Sequence, residues 1–285
     1  MIPMVDLSSD DAPQQIRTAC ESVGFFYLRE HGIPDAVRRD ARAASETFFN
    51  LPEDEKARVA VDARHRGYVG MGEATLSDDA DTDFKESFIW SVERDLDETW
   101  PLEGPNQWPA DRPEIARALT AYLDAVMTSG MKLLARFADC LGQPSDFYES
   151  CYRKPLARGS IIHYPPSTTH RYGTSQHTDY GAITLLWQDD VGGLQVEAGS
   201  GEWTDVSPIP DTLVVNIGDL MTRWTASTGN RFRSTNHRVL SHASRDRYSM
   251  AVFFDPDYDT VIDGITCGEY ILSRFDDVFA YRSKK

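Results

Sequence analysis

Cysteines are few in this sequence, and none of them are closely spaced. Only 4 occur among 285 residues, and none belongs to a Cys-x-x-Cys pair. Structural zinc sites use clustered thiolates, and disulfide frameworks need more cysteines at closer spacing. The distribution argues against both classes and indicates reduced thiols, as expected for a cytoplasmic protein. The four positions are Cys20, Cys140, Cys151 and Cys267.

The sequence also lacks long apolar runs and an excess of basic residues. A membrane-spanning helix needs about 18 consecutive apolar residues, and no segment approaches that length. Residues 1–11 hold acids instead of the basic stretch of a signal peptide. With 29 Lys and Arg against 45 Asp and Glu, the formal net charge is −16, which repels phosphate backbones. We therefore expect no membrane or nucleic-acid partner, and the oligomeric state stays open.

No internal repeat or low-complexity tract divides the chain. Its length and its 41% apolar content suffice for one large domain or two small ones. Apolar spacing predicts helices over 12–23, 35–49 and 110–141, the last with Asp111 as N-cap, and strands over 2–7 and 25–28. Residues 64–82 are predicted to form a loop, in which the acids Asp78, Asp79 and Asp81 lack the calcium-loop pattern of an EF-hand.

From Gly159 onward, short strand-like runs alternate with turn signals such as Pro165-Pro166 and Gly192-Gly193. Many short strands at this spacing are typical of a β-sandwich or barrel, and the jelly roll is one such closure. The predicted strands are 161–164, 183–187, 194–196, 212–216, 237–240 and 248–254.

The segment Gln176-His177-Thr178-Asp179-Tyr180 offers two metal ligands. In a strand, His177 and Asp179 would point to the same face, and His237 in a later strand-like run would supply a third ligand. Two histidines and one carboxylate form the facial triad of non-haem iron, which leaves three coordination positions open. A 2-oxo acid would fill two of these positions and O₂ the third.

Arg247 and Ser249 lie two residues apart in a further predicted strand, so both would face the same side. A guanidinium group binds a carboxylate through two charge-assisted bonds, each worth about 1.5–3 kcal/mol. Arg247 is therefore expected to bind the far carboxylate of the 2-oxo acid, with Ser249 as an additional donor. Each motif alone is weak, and the ordered combination is specific.

The chain resembles the isopenicillin N synthase-like family of Fe(II)/2-oxoglutarate-dependent dioxygenases, in a bacterial-type form. The resemblance runs nearly the whole length of the chain. The matching segments are 2–7, 24–27, 31–33, 48–52, 163–166, 177–181, 192–196, 215–219, 237–239 and 247–249.

The resemblance implies a mainly β fold with helices, in which a double-stranded β-helix (jelly roll) core is braced by N-terminal helices and a long central helix. Residues 1–105 would form an N-terminal extension, and 106–285 the supporting helix and core, with motifs at about 155–257. It further implies that Tyr164 binds the cosubstrate's distal carboxylate with Arg247 and Ser249. Plant members usually carry Asn at the position of Ile162, so contacts at that position do not carry over.

The implied enzyme oxidises, most simply by hydroxylation, an unidentified small molecule and releases succinate and CO₂. His177, Asp179 and His237 would be the catalytic iron ligands, and the cofactors would be Fe(II), 2-oxoglutarate and O₂. Isopenicillin N synthase itself instead binds its substrate carboxylate with the Arg-x-Ser pair and has a ligating glutamine near its C-terminus. The present C-terminus lacks that glutamine, which favours 2-oxoglutarate use over such an oxidase or cyclase.

Two further classes are weaker alternatives. A zinc hydrolase would need a general base beside the ligands, and no suitable Glu neighbours them. A non-catalytic binding protein would not need an intact triad and Arg-x-Ser pair.

Several other side chains have more than one interpretation in the sequence. Asn216 is equally compatible with support of the metal site and with capping of a turn. The aromatic residues Tyr68, Phe84 and Phe88 are candidates for substrate contact. Four more apolar residues fit the pocket and the core equally well, namely Leu185, Trp187, Phe232 and Phe253.

Overall fold

The computed structural model describes residues 1–73, 83–94, 100–197, 199, 201–226, 229 and 232–278. The acids Asp78, Asp79 and Asp81 lie outside these ranges. The helices are α1 (Ala12–Ser22), α2 (Asp35–Phe49), α3 (Glu53–Ala57), α4 (Pro113–Cys140), α5 (Asp219–Ala226) and α6 (Cys267–Val278). Among the described residues, no helix combines the length and apolarity required to cross a bilayer.

The strands are short except for β5 and β12. Their bounds are β1 (Met4–Asp6), β2 (Phe25–Arg29), β3 (Gly67–Val69), β4 (Glu86–Ser91), β5 (Pro155–Tyr164), β6 (Tyr172–His177), β7 (Ile183–Gln188), β8 (Leu194–Glu197), β9 (Trp203–Asp205), β10 (Leu213–Ile217), β11 (His237–Leu240), β12 (Arg247–Asp257), β13 (Val261–Ile262) and β14 (Ile265–Thr266).

Two sheets enclose a cavity and form the predicted jelly-roll core. The large sheet has the order β1-β2-β10-β7-β12-β5-β4-β3, and the small sheet has the order β6-β11-β8-β9. From β5 to β12 the chain alternates between the two sheets, apart from β8 and β9, which both lie in the small one. Strands from residues before 105 join the large sheet, and the division of the chain near residue 105 stays a prediction.

The long helix α4 supports the outer face of the large sheet. It contacts β5 and β12 and packs against α1 and α2. Its buried residues, among them Leu119, Leu123 and Leu133, recur at helical spacing, so that one face of the helix is buried from solvent. The helix begins at Pro113 instead of 110, and Arg112 occupies the N-cap position predicted for Asp111. Proline suits the first turn because its missing N–H has no helical acceptor there.

Alternation along β5 and β12 separates the cavity from the core. These strands pair antiparallel, with Arg247 opposite Tyr164 and Phe253 opposite Arg158. Even-numbered residues of β5 from 158 to 164 and odd-numbered residues of β12 from 247 to 253 line the cavity. Their neighbours, including Ile161 and Val252, are fully buried in the core. Arg247 and Tyr164 thus mark one end of the cavity, and Phe253 and Arg158 mark the other.

Several strands lie where the sequence indicated none, and two of them, β3 and β4, join the large sheet. Part of the predicted loop 64–82 forms β3, which pairs with β4, and β4 pairs in turn with β5. Glu86 on β4 is buried yet charged, because its carboxylate accepts hydrogen bonds from Lys56 at 2.6 Å and from Tyr68 at 2.6 Å. A search for alternating apolar residues does not predict such a strand, because the partners of Glu86 are distant in the sequence.

Candidate active site

The two sheet layers bring three predicted metal ligands together. His177 is the last residue of β6, His237 is the first residue of β11, and the two residues pair directly across the small sheet. Asp179 follows β6 in the connection to β7. The prediction that His177 and Asp179 share one strand is therefore wrong. The chain leaves the small sheet after His177 to enter the large one, and Asp179 is held by contacts from the large sheet instead.

The ligand atoms of the three side chains converge. Asp179 Oδ1 lies 3.8 Å from His177 Nε2 and 3.7 Å from His237 Nε2. All three ligand atoms lie within 4.8 Å of one another. This spacing suits a single ion bound on one face by two nitrogens and one oxygen.

Backbone carbonyls fix the orientation of both imidazoles. His177 Nδ1 lies 2.8 Å from the carbonyl oxygen of Ser175, and His237 Nδ1 lies 3.1 Å from that of Thr235. A carbonyl oxygen only accepts, so each Nδ1 carries a proton, and each Nε2 faces Asp179. Both rings are therefore oriented with Nε2 towards the ligand cluster.

The large sheet orients the carboxylate of Asp179. Asn216 on β10 donates from Nδ2 to Asp179 Oδ2 at 2.7 Å, and the hydroxyl of Thr184 on β7 donates to the same oxygen. Oδ1 is left to face the histidines. Of the two interpretations of Asn216, the structure favours support of the ligand cluster. The sequence did not predict the contact of Thr184. Only the pairing of β7 with β10 shows that this threonine faces Asp179.

Burial and mutual charge favour the metal-ready protonation state. Burial, followed by the neighbouring His237, lowers the pKa of His177 far below its ordinary value, so the ring stays neutral. Burial alone would raise the pKa of Asp179, but the two imidazoles and the bonds from Asn216 and Thr184 outweigh it and lower that pKa. An ionised carboxylate and a neutral imidazole are the forms of Asp179 and His177 that a divalent cation binds.

A buried arginine lies in the same cavity, at the end that it marks together with Tyr164. Arg247 is 2% exposed, its Nη2 donates to Gln188 Oε1 at 3.2 Å, and its guanidinium carbon lies 4.8 Å from the centre of the Tyr164 ring. Among the described residues, Nε and Nη1 have no hydrogen-bond partner. Buried N–H groups of a cation without partners are costly, so this end of the cavity is suited to an anion. Ser249 lines the cavity beside Arg247.

The donor set fits both groups that the family resemblance implies. Two histidines and a carboxylate suit Fe(II), and the N–H groups of Arg247 without partners suit the carboxylate of 2-oxoglutarate. Asp179 is the only carboxylate among the described residues that line the cavity. Among the described residues, the lining thus provides no second carboxylate that could act as the general base of a zinc hydrolase.

The cavity has a volume of about 180 Å³. Tyr68, Phe84 and Phe88 do not line it, and the substrate-contact prediction for these three residues is wrong. Tyr68 and Phe88 pack in the core against Phe48, and Phe84 stacks on His170. The lining residues are their neighbours Val69, Lys85 and Ile89, because β3 and β4 present the opposite face to the cavity.

The same alternation of strand faces determines which of the other apolar candidates line the cavity. Phe253 lines the cavity, whereas Leu185 and Phe232 are buried in the core and Trp187 packs against it. Leu186, which has no distinguishing signal in the sequence, lines the cavity instead. His65 also lines the cavity, near Phe275. His163 points away from the cavity and contacts Glu86 and Asp246.

Two family models match most of the chain. Residues 2–111 match the N-terminal region of the non-haem dioxygenases in morphine synthesis. Residues 150–256 match the 2OG-Fe(II) oxygenase superfamily. The second match contains His177, Asp179, His237, Arg247 and Ser249.

Curated relatives carry the same family assignment. The 2-oxoglutarate-dependent dioxygenase traH of Penicillium crustosum is 34% identical over 259 residues, which cover 86% of this chain and 78% of that protein. A homoarginine-6-hydroxylase of Glycine max is 32% identical, with 88% and 79% of the two chains covered.

Solved structures share the whole architecture. A full-length Neurospora crassa protein in complex with alpha-KG superposes with a TM-score of 0.85 at 27% identity and covers 96% of this chain and 95% of that one. A putative 2OG-Fe(II) oxygenase family protein from Caulobacter crescentus superposes with a TM-score of 0.84 at 26% identity, with 97% and 98% covered. With these likenesses and the converging His-Asp-His cluster, the chain belongs to the 2OG-Fe(II) oxygenase superfamily and is a non-haem Fe(II)- and 2-oxoglutarate-dependent dioxygenase.

Proposed function

We propose that His177, Asp179 and His237 bind the Fe(II) and that Arg247, Ser249 and Tyr164 hold the distal carboxylate of 2-oxoglutarate. One observation carries the proposal. Three ligand atoms converge within 4.8 Å in the same cavity as a buried arginine that has two unpartnered nitrogens. A dicarboxylic 2-oxo acid has one end for each of these groups.

Iron, 2-oxoglutarate and O₂ together supply the oxidising chemistry, which releases succinate and CO₂ and here hydroxylates the substrate. The residues of the chain orient the reactants. Asn216 and Thr184 hold the Asp179 carboxylate. Gln188 positions one arm of Arg247 and leaves the rest of its fork for the distal carboxylate.

The end of the cavity opposite Arg247 would receive the substrate. It is lined by Arg158, Tyr180, Phe253 and Phe275, and its size favours a small molecule. The Neurospora crassa protein described above was also solved with alpha-KG and thymine together. The net charge of −16 disfavours nucleic acid and anionic membrane partners. Four free cysteines support a reducing compartment, for which we propose the cytoplasm.

Two variants test the proposed roles. Asp179→Ala should bind no Fe(II) at concentrations that saturate the wild type, and full activity in this variant would remove Asp179 from the metal site.

Arg247→Lys keeps the charge but loses the planar fork. It should raise the 2-oxoglutarate concentration needed for half-maximal O₂ uptake, and an unchanged requirement would mean that Arg247 binds another group.

A further inference from the structure

A lysine enters the cavity next to Tyr164. Lys85 lies just before β4, and its side chain is 11% exposed. Its Nζ lies 2.9 Å from Asp83 Oδ2 and 3.1 Å from the hydroxyl oxygen of Thr174. Thr174 in turn contacts the hydroxyl of Tyr164 at 3.3 Å. These four side chains thus connect the segment before β4 to β6 and then to β5.

The chemistry of the lysine sets the direction of these hydrogen bonds. An ammonium group only donates, so the Thr174 oxygen accepts from Lys85. The single hydroxyl hydrogen of Thr174 is then free to donate to the Tyr164 oxygen. The Tyr164 hydroxyl, which already accepts from Thr174, keeps its own hydrogen for a group in the cavity.

That hydrogen lies at the end of the cavity that suits an anion. Tyr164 pairs with Arg247 across β5 and β12, and the Arg247 nitrogens without partners are at the same end. Hydrogen bonds in a chain polarise one another. The Thr174–Tyr164 separation is long for an O–H···O bond, and a carboxylate that accepts from Tyr164 should shorten it.

We propose that Asp83, Lys85 and Thr174 form a relay that fixes the Tyr164 hydroxyl as a donor to the distal carboxylate of 2-oxoglutarate. The inference rests on the proposed function, in which Tyr164 and Arg247 bind that carboxylate. Lys85 and Thr174 are positioning residues. The relay selects for 2-oxo acids that end in a carboxylate, because only an acceptor at that position uses the oriented hydrogen.

A purely structural role for the same residues gives a different expectation. Asp83 is fully buried and also accepts from the backbone N–H of Ser175 at 2.8 Å, so the ion pair with Lys85 also ties the segment before β4 to β6. Loss of a structural tie would affect every ligand of the cavity equally. Loss of the relay would affect only ligands with a distal carboxylate.

The test compares two 2-oxo acids on the Fe(II)-loaded protein under anaerobic conditions. 2-Oxoglutarate and 2-oxopentanoate have the same chain length, but the second ends in a methyl group. Calorimetry gives the dissociation constant of each acid without any turnover. Thr174→Val keeps the side-chain shape and removes the relay hydroxyl, and Thr47→Val on the exposed face of α2 is the matched control.

We expect Thr174→Val to weaken 2-oxoglutarate binding by about 5- to 10-fold, the loss of roughly one hydrogen bond. Binding of 2-oxopentanoate should stay unchanged. In a Tyr164→Phe background, Thr174→Val should have no further effect, because the hydroxyl that it orients is absent. Thr47→Val should match the wild type with both acids.

Equal weakening of both acids, or an undiminished effect of Thr174→Val in the Tyr164→Phe background, would overturn the relay. Arg247→Ala separates this failure from that of the proposed function. If Arg247→Ala fails to weaken 2-oxoglutarate more than 2-oxopentanoate, the distal carboxylate is not held here and the proposed function fails. If Arg247→Ala discriminates between the acids and Thr174→Val does not, only the relay fails.

Discussion

Asn216→Ala tests how much the large sheet contributes to the metal site. The side chain is buried, at 3% exposure, and its Nδ2 donates to Asp179 Oδ2 at 2.7 Å. Hydrogen bonds to charged groups contribute about 1.5–3 kcal/mol. At about 1.4 kcal/mol per factor of ten, the metal affinity should fall by roughly 10- to 100-fold, the range typical of residues that orient metal ligands.

The assay is an anaerobic titration of the apoprotein with Fe(II), together with the thermal unfolding midpoint of the metal-free protein. Asn50→Ala, at the exposed C-terminal end of α2, is the matched control and should bind Fe(II) like the wild type. Unchanged Fe(II) affinity in folded Asn216→Ala would refute the reasoning. It would mean that Thr184 alone, or the backbone, sets the position of Asp179.

Two further predictions concern stability. In Gly181→Ala, the new Cβ would lie 2.0 Å from Asp255 Oδ1, which the Ala182 N–H holds at 2.7 Å. Such overpacking costs about 1–3 kcal/mol and should lower the urea midpoint, and an unchanged midpoint would contradict this contact. For Glu86, burial acts to raise the pKa, but bonds from His163, Lys56 and Tyr68 outweigh it and lower the pKa below 4.5. Its charge therefore stabilises the fold above pH 4.5, and that contribution is lost as the pH falls through the lowered pKa. Glu86→Gln should be less stable at neutral pH with a flatter decline on acidification, and an equally steep decline would contradict the assignment.

The ligand set could be predicted because its chemistry is local and ordered along the chain. His177, Asp179 and His237 are recognisable as residue types at informative positions, and the Arg247–Ser249 pair needs only the two-residue period of a strand. A β-sandwich or barrel could likewise be predicted from the spacing of short strands and turns, and the family resemblance specified the jelly roll. The secondary structure around Asp179 could not be predicted. The chain crosses there from the small sheet to the large one, and this crossing depends on contacts with residues that are distant in the sequence.

The cavity lining depended on information that one sequence does not carry. The aromatic residues at positions 68, 84 and 88 were predicted to contact substrate, but the structure places Val69, Lys85 and Ile89 at the cavity. A shift of one residue exchanges the two faces of a strand. Which face is inward is decided by the pairing of β4 with β5, two strands that are far apart in the sequence. The supporting contacts of Thr184 and Asn216 depend on strand pairing in the same way.

The most direct test of the proposed cofactor binding is an anaerobic titration of apoprotein with Fe(II) and then with 2-oxoglutarate, followed by the weak visible charge-transfer band of the chelate. We expect a saturable band in the wild type. Arg247→Ala should bind Fe(II) normally but show no band at the concentration of 2-oxoglutarate that saturates the wild type. A wild-type protein that binds Fe(II) without a band, or an Arg247→Ala variant with the wild-type affinity for 2-oxoglutarate, would contradict the proposal.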